Sequence, residues 1–144
     1  MRACVFTVGD AAYALDVRAV REVAILEELT RVPLAPRHVL GAANLRGEVV
    51  AVVDPGTLLG AEDRPRGRKL RALVVATEAG DAALVVDEVI GLDTIEDLSA
   101  IPVALDGTTS EWTIGRERRD GRPVTVLDAR AVVAALRPGA GSDQ

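Results

Sequence analysis

Short apolar runs recur along the whole chain, and each of them ends at glycine, aspartate or proline. Runs of this length bounded by turn-forming residues are typical of strands in an all-β protein. The pattern predicts nine strands, at residues 3–8, 12–15, 39–45, 48–53, 71–76, 82–86, 88–95, 113–118 and 122–127. We therefore expect a mainly β fold with short helices added to it.

Two dipeptides predict tight hairpins, and two aspartates predict helix starts. Arg46-Gly47 and Asp120-Gly121 each separate two apolar runs, and glycine accepts the positive φ that short hairpin turns require. Asp54 precedes Pro55, and a short helix from that proline should end at Gly60; Asp128 precedes a second helix over 129–136.

Apolar residues at positions 17, 20, 24 and 26 have Arg18, Arg21 and Glu22 between them. This spacing predicts a short amphipathic segment with one apolar stripe. The stripe can pack in the core or face a partner.

The chain repeats itself. Residues 9–16 align with 80–87, and residues 40–54 align with 114–128, where Gly47 matches Gly121 and Asp54 matches Asp128. The repeat predicts a single domain over 1–144 built from two tandem small β-barrels, with lobes at about 1–60 and 71–137. The polar stretch 60–70 is the expected linker, and 138–144 is the expected tail. Each lobe is small, so we expect a shared core and a binding groove between the lobes.

The amino-acid composition limits the classes of partner that this protein can bind. The 144 residues are 49% hydrophobic, and 17 basic against 22 acidic side chains give a net charge of −5. This balance disfavours nucleic acid and anionic membranes as partners. The longest apolar run, 49–53, is far too short to cross a bilayer, and no signal peptide is evident, so we expect a cytoplasmic protein.

The sequence contains few residues suited to catalysis or metal binding. The chain has one cysteine, Cys4, and one histidine, His38, so Cys/His metal clusters and disulfides are excluded. Cys4 is interpreted as a buried strand thiol and His38 as an edge histidine. No glycine-rich phosphate loop is present, and no cofactor is predicted. Asp54 and Asp128 are interpreted as helix caps, with a shared-proton aspartate dyad as the enzymatic alternative.

Two basic clusters are interpreted as solvated loops, with a partner-facing charge patch as the alternative. They comprise Arg64, Arg66, Arg68, Lys69 and Arg71, and then Arg116, Arg118, Arg119 and Arg122.

The segment 30–54 contains Val32-Pro33 followed by Pro36, then Asn44-Leu45-Arg46-Gly47, and it ends in Val53-Asp54. This order of motifs resembles the CheW family of bacterial chemotaxis coupling proteins. Agreement extends over residues 3–137. One departure is Pro55-Gly56, which stands where the family usually has Leu-Arg.

The resemblance implies two five-stranded SH3-like barrels around a shared core, and a non-enzymatic adaptor. Its partners would be the cytoplasmic helical tip of a chemoreceptor and the regulatory domain of a CheA-type histidine kinase, in arrays recruited to the membrane. Self-association in array rings is compatible with that role. The resemblance assigns no residue of this chain to the kinase.

Receptor-facing residues are carried over by position. Val20 and Glu22 match the receptor-facing segment, and Arg46 matches the coupling arginine of the Asn-Leu-Arg-Gly turn. A groove lined partly by Val17, Val20 and Val23 is hypothesised to dock a receptor helix, and Val20→Asp is expected to weaken receptor binding with the fold intact. The predicted receptor-binding set is Val17, Val20, Glu22, Val23, Asn44 and Arg46.

Two other functions remain open. One is a CheW-like coupling module of a non-flagellar pathway, for pilus motility or development. The other is a degenerate module that no longer binds a kinase.

Overall fold

A computed structural model describes residues 1–61, 64–96 and 111–136. The strands are β1 (Arg2–Val8), β2 (Ala11–Asp16), β3 (Val20–Leu26), β4 (Val39–Leu45), β5 (Glu48–Val53), β6 (Leu70–Thr77), β7 (Gly80–Val86), β8 (Glu88–Thr94), β9 (Thr113–Arg119) and β10 (Arg122–Leu127). The helices are α1 (Gly56–Leu59) and α2 (Ala129–Leu136), and a 3-10 turn covers Val17–Ala19. All nine predicted strands are confirmed, with ends shifted by at most two residues. The predicted tail at 138–144 lies outside the described residues.

The strand missed by the sequence is β3. The amphipathic segment predicted over 17–26 is a single 3-10 turn followed by this strand, and its apolar residues at 17, 20, 24 and 26 are all half-buried or buried, as one apolar stripe requires. Burial alternates along β3, where Val20 and Ala24 are half-buried while Val23 and Ile25 are exposed. Burial that alternates with period two is typical of a strand that has one face covered, and the three β-branched residues of β3 favour this conformation.

The strands form two five-stranded sheets. The first sheet has the order β8-β1-β2-β10-β9, and the second has the order β3-β6-β7-β5-β4. In each sheet one pair is parallel, β2 with β10 and β5 with β7, and the other pairs are antiparallel. The sheets do not follow the division of the chain into 1–60 and 71–137, because each sheet takes strands from both halves.

Central strands are continuously apolar because both of their faces are buried. In β1, Phe6 contributes to a cluster shared by the two sheets and α2, while Val5 contributes to a separate cluster of the first sheet. In β7, Leu84 belongs to the shared cluster and Val85 to a cluster of the second sheet. The predicted shared core is therefore confirmed, and each sheet adds a smaller core of its own.

The two sheets have the same arrangement of strands, as the sequence repeat requires. Strands β8, β1, β2, β10 and β9 of the first sheet correspond in order to β3, β6, β7, β5 and β4 of the second. Both predicted hairpins are present, with positive φ at Arg46, Gly47, Asp120 and Gly121, which confirms the alignment of 40–54 with 114–128.

The alignment of 9–16 with 80–87 was wrong by two residues. In the first unit the β1–β2 pairing leaves residues 9 and 10 in the turn, and in the second the β6–β7 pairing leaves residues 78 and 79. Gly9 thus corresponds to Glu78 rather than to Gly80. The alignment relied on the Gly-Asp-Ala-Ala sequence that both segments share. Hairpin register, and not residue identity, determines which positions are structurally equivalent.

The Asp128 cap is confirmed, whereas the N-cap position of α1 is Pro55 and Asp54 binds the first N–H of that helix from one residue further back. Asp54 Oδ1 accepts a hydrogen bond from the Gly56 N–H at 2.8 Å, and Asp128 Oδ1 accepts from the Arg130 N–H at 3.1 Å. Helix α1 begins at Gly56, one residue later than predicted, and ends at Gly60, whose φ of 77° is left-handed. Helix α2 covers the shared core with Val132, Val133 and Leu136.

Gly41 allows the loop after β3 to reach the edge of the second sheet. Thr30 and Ala42 exchange backbone hydrogen bonds of 2.8 Å in both directions. A Cβ at Gly41 would lie 2.8 Å from the Thr30 carbonyl oxygen, closer than side chains tolerate. Thr30 therefore covers part of the β4 edge, which protects it from pairing with other chains.

Among the described residues, no helix is long and apolar enough to cross a membrane.

Candidate functional site

The β4–β5 hairpin presents Arg46 at the surface in an unfavourable backbone conformation. Its φ of 53° is left-handed, and its side chain is 81% exposed. Left-handed backbone costs an ordinary L-residue roughly 1–2 kcal/mol. Asn44 holds the turn by accepting a hydrogen bond on Oδ1 from the Gly47 N–H at 3.0 Å. A strained arginine that faces solvent is a candidate for function, because it does not stabilise the fold.

Glu22 and Arg46, two of the predicted receptor-binding residues, come together. Arg46 Nη2 lies 3.4 Å from Glu22 Oε1, and Glu22 is 25% exposed. Exposed ion pairs of this kind contribute at most about 1 kcal/mol to stability. The pair orients the arginine more than it stabilises the protein.

Arg21 forms separate ion pairs on the same sheet, and the sequence prediction missed its role. Its Nη1 lies 3.4 Å from Glu48 Oε1 and 3.3 Å from Asp81 Oδ2. The register of β3 against β6 shifts between Val20 and Glu22, which turns Arg21 toward the start of β5 and β7. The signal in the sequence was the neighbouring Glu22, but the contacts of Arg21 depend on strand pairing that the sequence does not show.

We define the charged edge as Arg21, Glu22, Asn44, Arg46, Glu48 and Asp81. It combines residues from four strands and one turn of the second sheet. It carries two arginines and three carboxylates, paired as Arg46 with Glu22 and Arg21 with Glu48 and Asp81, so it can recognise a partner by charge and hydrogen bonds.

The three predicted groove valines do not line one groove. Val20 packs against the shared core, whereas Val23 is 48% exposed. Val17 is half-buried in the 3-10 turn. Val20 and Val23 are separated because successive strand residues point to opposite faces. Val23 instead belongs to an exposed apolar pair with Ile25, which is 54% exposed.

An open groove of about 470 Å³ lies where the two sheets meet, which is the place expected for a binding groove. It is lined by the end of β2, the 3-10 turn, the β6–β7 turn, β9 and the start of α2. Ile114, 52% exposed, supplies apolar surface. Charged groups along it are Asp16, Arg18, Glu78, Asp128 and Arg130.

Near this groove, Arg18 and Asp16 form an ion pair between residues two apart in the chain. Arg18 Nη2 donates to Asp16 Oδ2 at 2.8 Å, and hydrogen bonds from Arg18 lower the pKa of Asp16 below its ordinary value. Arg18 is 87% exposed, so the pair is screened by water and contributes little stability.

The aspartate-dyad alternative is disfavoured by the hydrogen bonds of both carboxylates. Asp54 is 2% exposed and accepts from Arg64, Arg66 and a backbone N–H. Asp128 accepts from two N–H groups of α2. These contacts are those of a buried ion pair and a helix cap.

The single histidine and cysteine also have structural contacts. His38 Nε2 lies 2.9 Å from the Leu136 carbonyl oxygen, so it joins β4 to the end of α2. Cys4 is 3% exposed, and burial raises the pKa of its thiol. Within the described residues, no group of three His, Cys, Asp or Glu side chains is placed to hold a metal ion.

The chain matches the family described as CheW-like domain over residues 2–137. The chain belongs to the CheW family. Its members are scaffold and adaptor proteins, and the match spans both sheets and both helices.

Curated relatives agree over most of the chain. The chemotaxis protein CheW of Rhizobium meliloti is 30% identical over 127 residues, covering 88% of this chain and 78% of the relative. The chemotaxis protein CheW of Bacillus subtilis is 27% identical over 132 residues, covering 90% and 84%. Protein FrzA of Myxococcus xanthus is 32% identical over 117 residues, covering 81% and 73%.

The fold agrees with a solved structure. The scaffolding protein TtCheW of Thermoanaerobacter tengcongensis superposes with a TM-score of 0.79 at 24% identity, covering 91% of this chain and 90% of that one. At this identity the likeness concerns the fold alone, and it confirms the predicted pair of five-stranded β subdomains.

Proposed function

We propose that this CheW-family protein is a non-enzymatic adaptor that couples chemoreceptor tips to a CheA-type histidine kinase in chemotaxis. The charged edge serves the receptor, and Arg46 is its central residue. The protein acts in the cytoplasm and is recruited to membrane-associated receptor arrays. No residue is assigned to the kinase.

The observation that carries the proposal is the strained, solvent-facing Arg46 held beside Glu22. A turn optimised for stability would have Asn, Asp or Gly at this position, as the other hairpin has Asp120. Arginine forms bidentate hydrogen bonds and is frequent at the centres of interfaces. Its retention in a strained turn supports a binding role for this side chain.

Helical receptor tips offer the matching chemistry. A helix can present acidic and apolar side chains along one face, where acidic groups would pair with Arg46 and apolar groups would contact Val23 and Ile25. Many weak contacts of this kind suffice in an array, because linkage raises the effective concentration of each partner.

Co-sedimentation with the kinase regulatory region and a receptor-tip fragment tests the proposal at two salt concentrations. We expect the wild-type protein to bind both, and Arg46→Glu to bind only the kinase. Arg68→Glu is the matched control, because Arg68 is also an exposed arginine but lies in the linker outside the charged edge. Loss of both interactions in Arg46→Glu, or equal receptor binding by the two variants, contradicts the assignment of Arg46.

FrzA supports a second candidate, a coupling module of a pathway for pilus motility or development. The relative is 32% identical and carries a different name from the chemotaxis proteins. In that case the same surfaces would bind a different kinase and different receptors. Binding to neither chemotaxis partner by a folded protein would favour this candidate or a module that has lost kinase binding.

A further inference from the structure

The repeat places two equivalent grooves where the sheets meet. Positions around the open groove at α2 correspond to positions around the start of α1: Asp16 to Val85, Glu78 to Gly9, Asp128 to Asp54, and Arg130 to Gly56. One groove is open, with a volume of about 470 Å³. In its counterpart the side chain of Arg64 lies between two open spaces of about 840 and 490 Å³, and Gly9 and Arg64 line both of them.

The guanidinium group of Arg64 is surrounded by hydrogen-bond acceptors, as a bound guanidinium ion would be. Its Nη1 donates to Asp54 Oδ1 at 2.7 Å, and its Nε donates to Asp87 Oδ1 at 2.8 Å. Nη2 donates to the Val85 carbonyl at 3.1 Å, and Nη1 also donates to the Ala61 carbonyl at 3.1 Å. The side chain is only 7% exposed and Asp54 is 3% exposed, so the interpretation of Arg64 as a solvated loop residue was wrong.

The carboxylates around Arg64 are themselves fixed. Asp87 Oδ2 accepts from the Gly9 N–H of the first sheet at 2.7 Å, and Asp54 Oδ2 accepts from Arg66 Nη1 at 2.6 Å. Burial alone lowers the pKa of Arg64, but the hydrogen bonds to Asp87 and Asp54 raise it above the ordinary value. The guanidinium therefore stays charged and joins elements of both sheets.

Two glycines make room for this arrangement. A Cβ at Gly56 would lie 2.4 Å from Arg64 Nη1, and a Cβ at Gly9 would lie 3.1 Å from Ala61 Cβ. In the open groove the equivalent positions are Arg130 and Glu78, whose own side chains line the space. Because Gly9 and Gly56 have no side chains, they leave the space that the Arg64 side chain occupies.

We propose that Arg64 is an internal ligand, bound in a guanidinium site formed by Asp54, Asp87 and the Val85 carbonyl, that divides one of two repeat-related grooves. The linker supplies this ligand from the same chain. A partner that binds between the sheets then meets one continuous groove and one that Arg64 interrupts, so the repeat does not produce two equivalent binding sites.

Chemical rescue of Arg64→Ala tests the proposal. Removing the side chain leaves a cavity beside the buried Asp54 carboxylate and the partly exposed Asp87 carboxylate, and free guanidinium should bind there. A ligand that binds only the folded state raises stability by mass action. We expect millimolar guanidinium chloride, compared with sodium chloride at equal ionic strength, to raise the melting temperature of Arg64→Ala and to lower slightly that of the wild-type protein.

Arg18→Ala is the matched control, since Arg18 also pairs with an aspartate but is 87% exposed. It should melt close to the wild-type temperature and show no rescue. An equal guanidinium response in Arg64→Ala and Arg18→Ala overturns the proposal.

Arg64→Lys covers the case in which Arg64→Ala does not fold. A lysine retains the charge but cannot reach all four acceptors at once, so a lower melting temperature than that of the wild-type protein is expected. A melting temperature equal to the wild-type value overturns the proposal.

Discussion

At the residue scale, Arg46 combines backbone strain with exposure, and the two can be separated by substitution. Arg46→Asn keeps the hairpin, because asparagine adopts the left-handed conformation more readily than arginine. We expect stability in urea to be unchanged or raised by up to about 1 kcal/mol, while receptor-tip affinity falls.

Asp120→Asn in the equivalent hairpin is the control for Arg46→Asn and should leave receptor affinity unchanged. A clear loss of stability in Arg46→Asn would show that the arginine serves the fold.

Cys4 gives a second test at this scale. Burial raises its thiol pKa above the ordinary value of 9.0, and a buried protonated thiol is a poor nucleophile. We expect a thiol reagent to modify the protein only after it unfolds, with no labelling of the folded state at neutral pH.

The sign of the pH effect at Cys4 follows from its raised pKa. The folded state holds the proton more tightly, so this contribution to stability is present below pH 9.0 and decreases as pH rises through the folded-state pKa. Labelling should therefore accelerate in alkaline solution. Modification of the folded protein at the rate of a free thiol would show that β1 opens locally.

At the element scale, β3 separates two valines that the sequence had grouped together. Val20→Asp places a charge against the shared core and should cost about 1–3 kcal/mol of stability, so the earlier expectation of an intact fold does not hold for this variant. Val23→Asp changes an exposed position and should alter the unfolding free energy by less than about 0.5 kcal/mol.

Urea unfolding and receptor titration of both β3 variants provide the check. Weakened receptor binding in Val23→Asp, with normal stability, would place the outer face of β3 in the interface. Equal destabilisation by the two variants would contradict the alternation described for this strand.

Gly41 tests how the edge of the second sheet is covered. Gly41→Ala brings a Cβ against the Thr30 carbonyl oxygen, and we expect a loss of about 1–3 kcal/mol with faster amide exchange at Thr30 and Ala42. Gly67→Ala is the control, because a Cβ there has no heavy atom within 4 Å. Slow exchange at Thr30 in Gly41→Ala would show that the loop adjusts without breaking the bridge.

At the scale of the whole molecule, the sheets are interwoven. Residues 1–60 hold β1 and β2 of the first sheet but lack its other three strands, and they hold β3–β5 of the second sheet without β6 and β7. We expect the fragments 1–60 and 71–137 to be unfolded separately by circular dichroism, and to gain β structure when mixed. Cooperative unfolding of either fragment alone would contradict this dependence.

The sequence by itself determined the local structure. Apart from β3, strand positions followed from apolar runs, hairpins from Arg46-Gly47 and Asp120-Gly121, and helix starts from Asp54 and Asp128, because each of these depends on neighbours in the chain. The family resemblance pointed to Glu22, Asn44 and Arg46, and the structure brings these three to one edge.

Tertiary structure decided what depends on contacts between distant residues. It paired β1 and β2 with strands from the other half of the chain, and it turned Val20 inward and Val23 outward. It also placed Arg64 between Asp54 and Asp87. In the sequence, an arginine in a polar linker cannot be distinguished from a solvent-exposed arginine. Arg64 is buried because the register of both sheets brings carboxylates together around it.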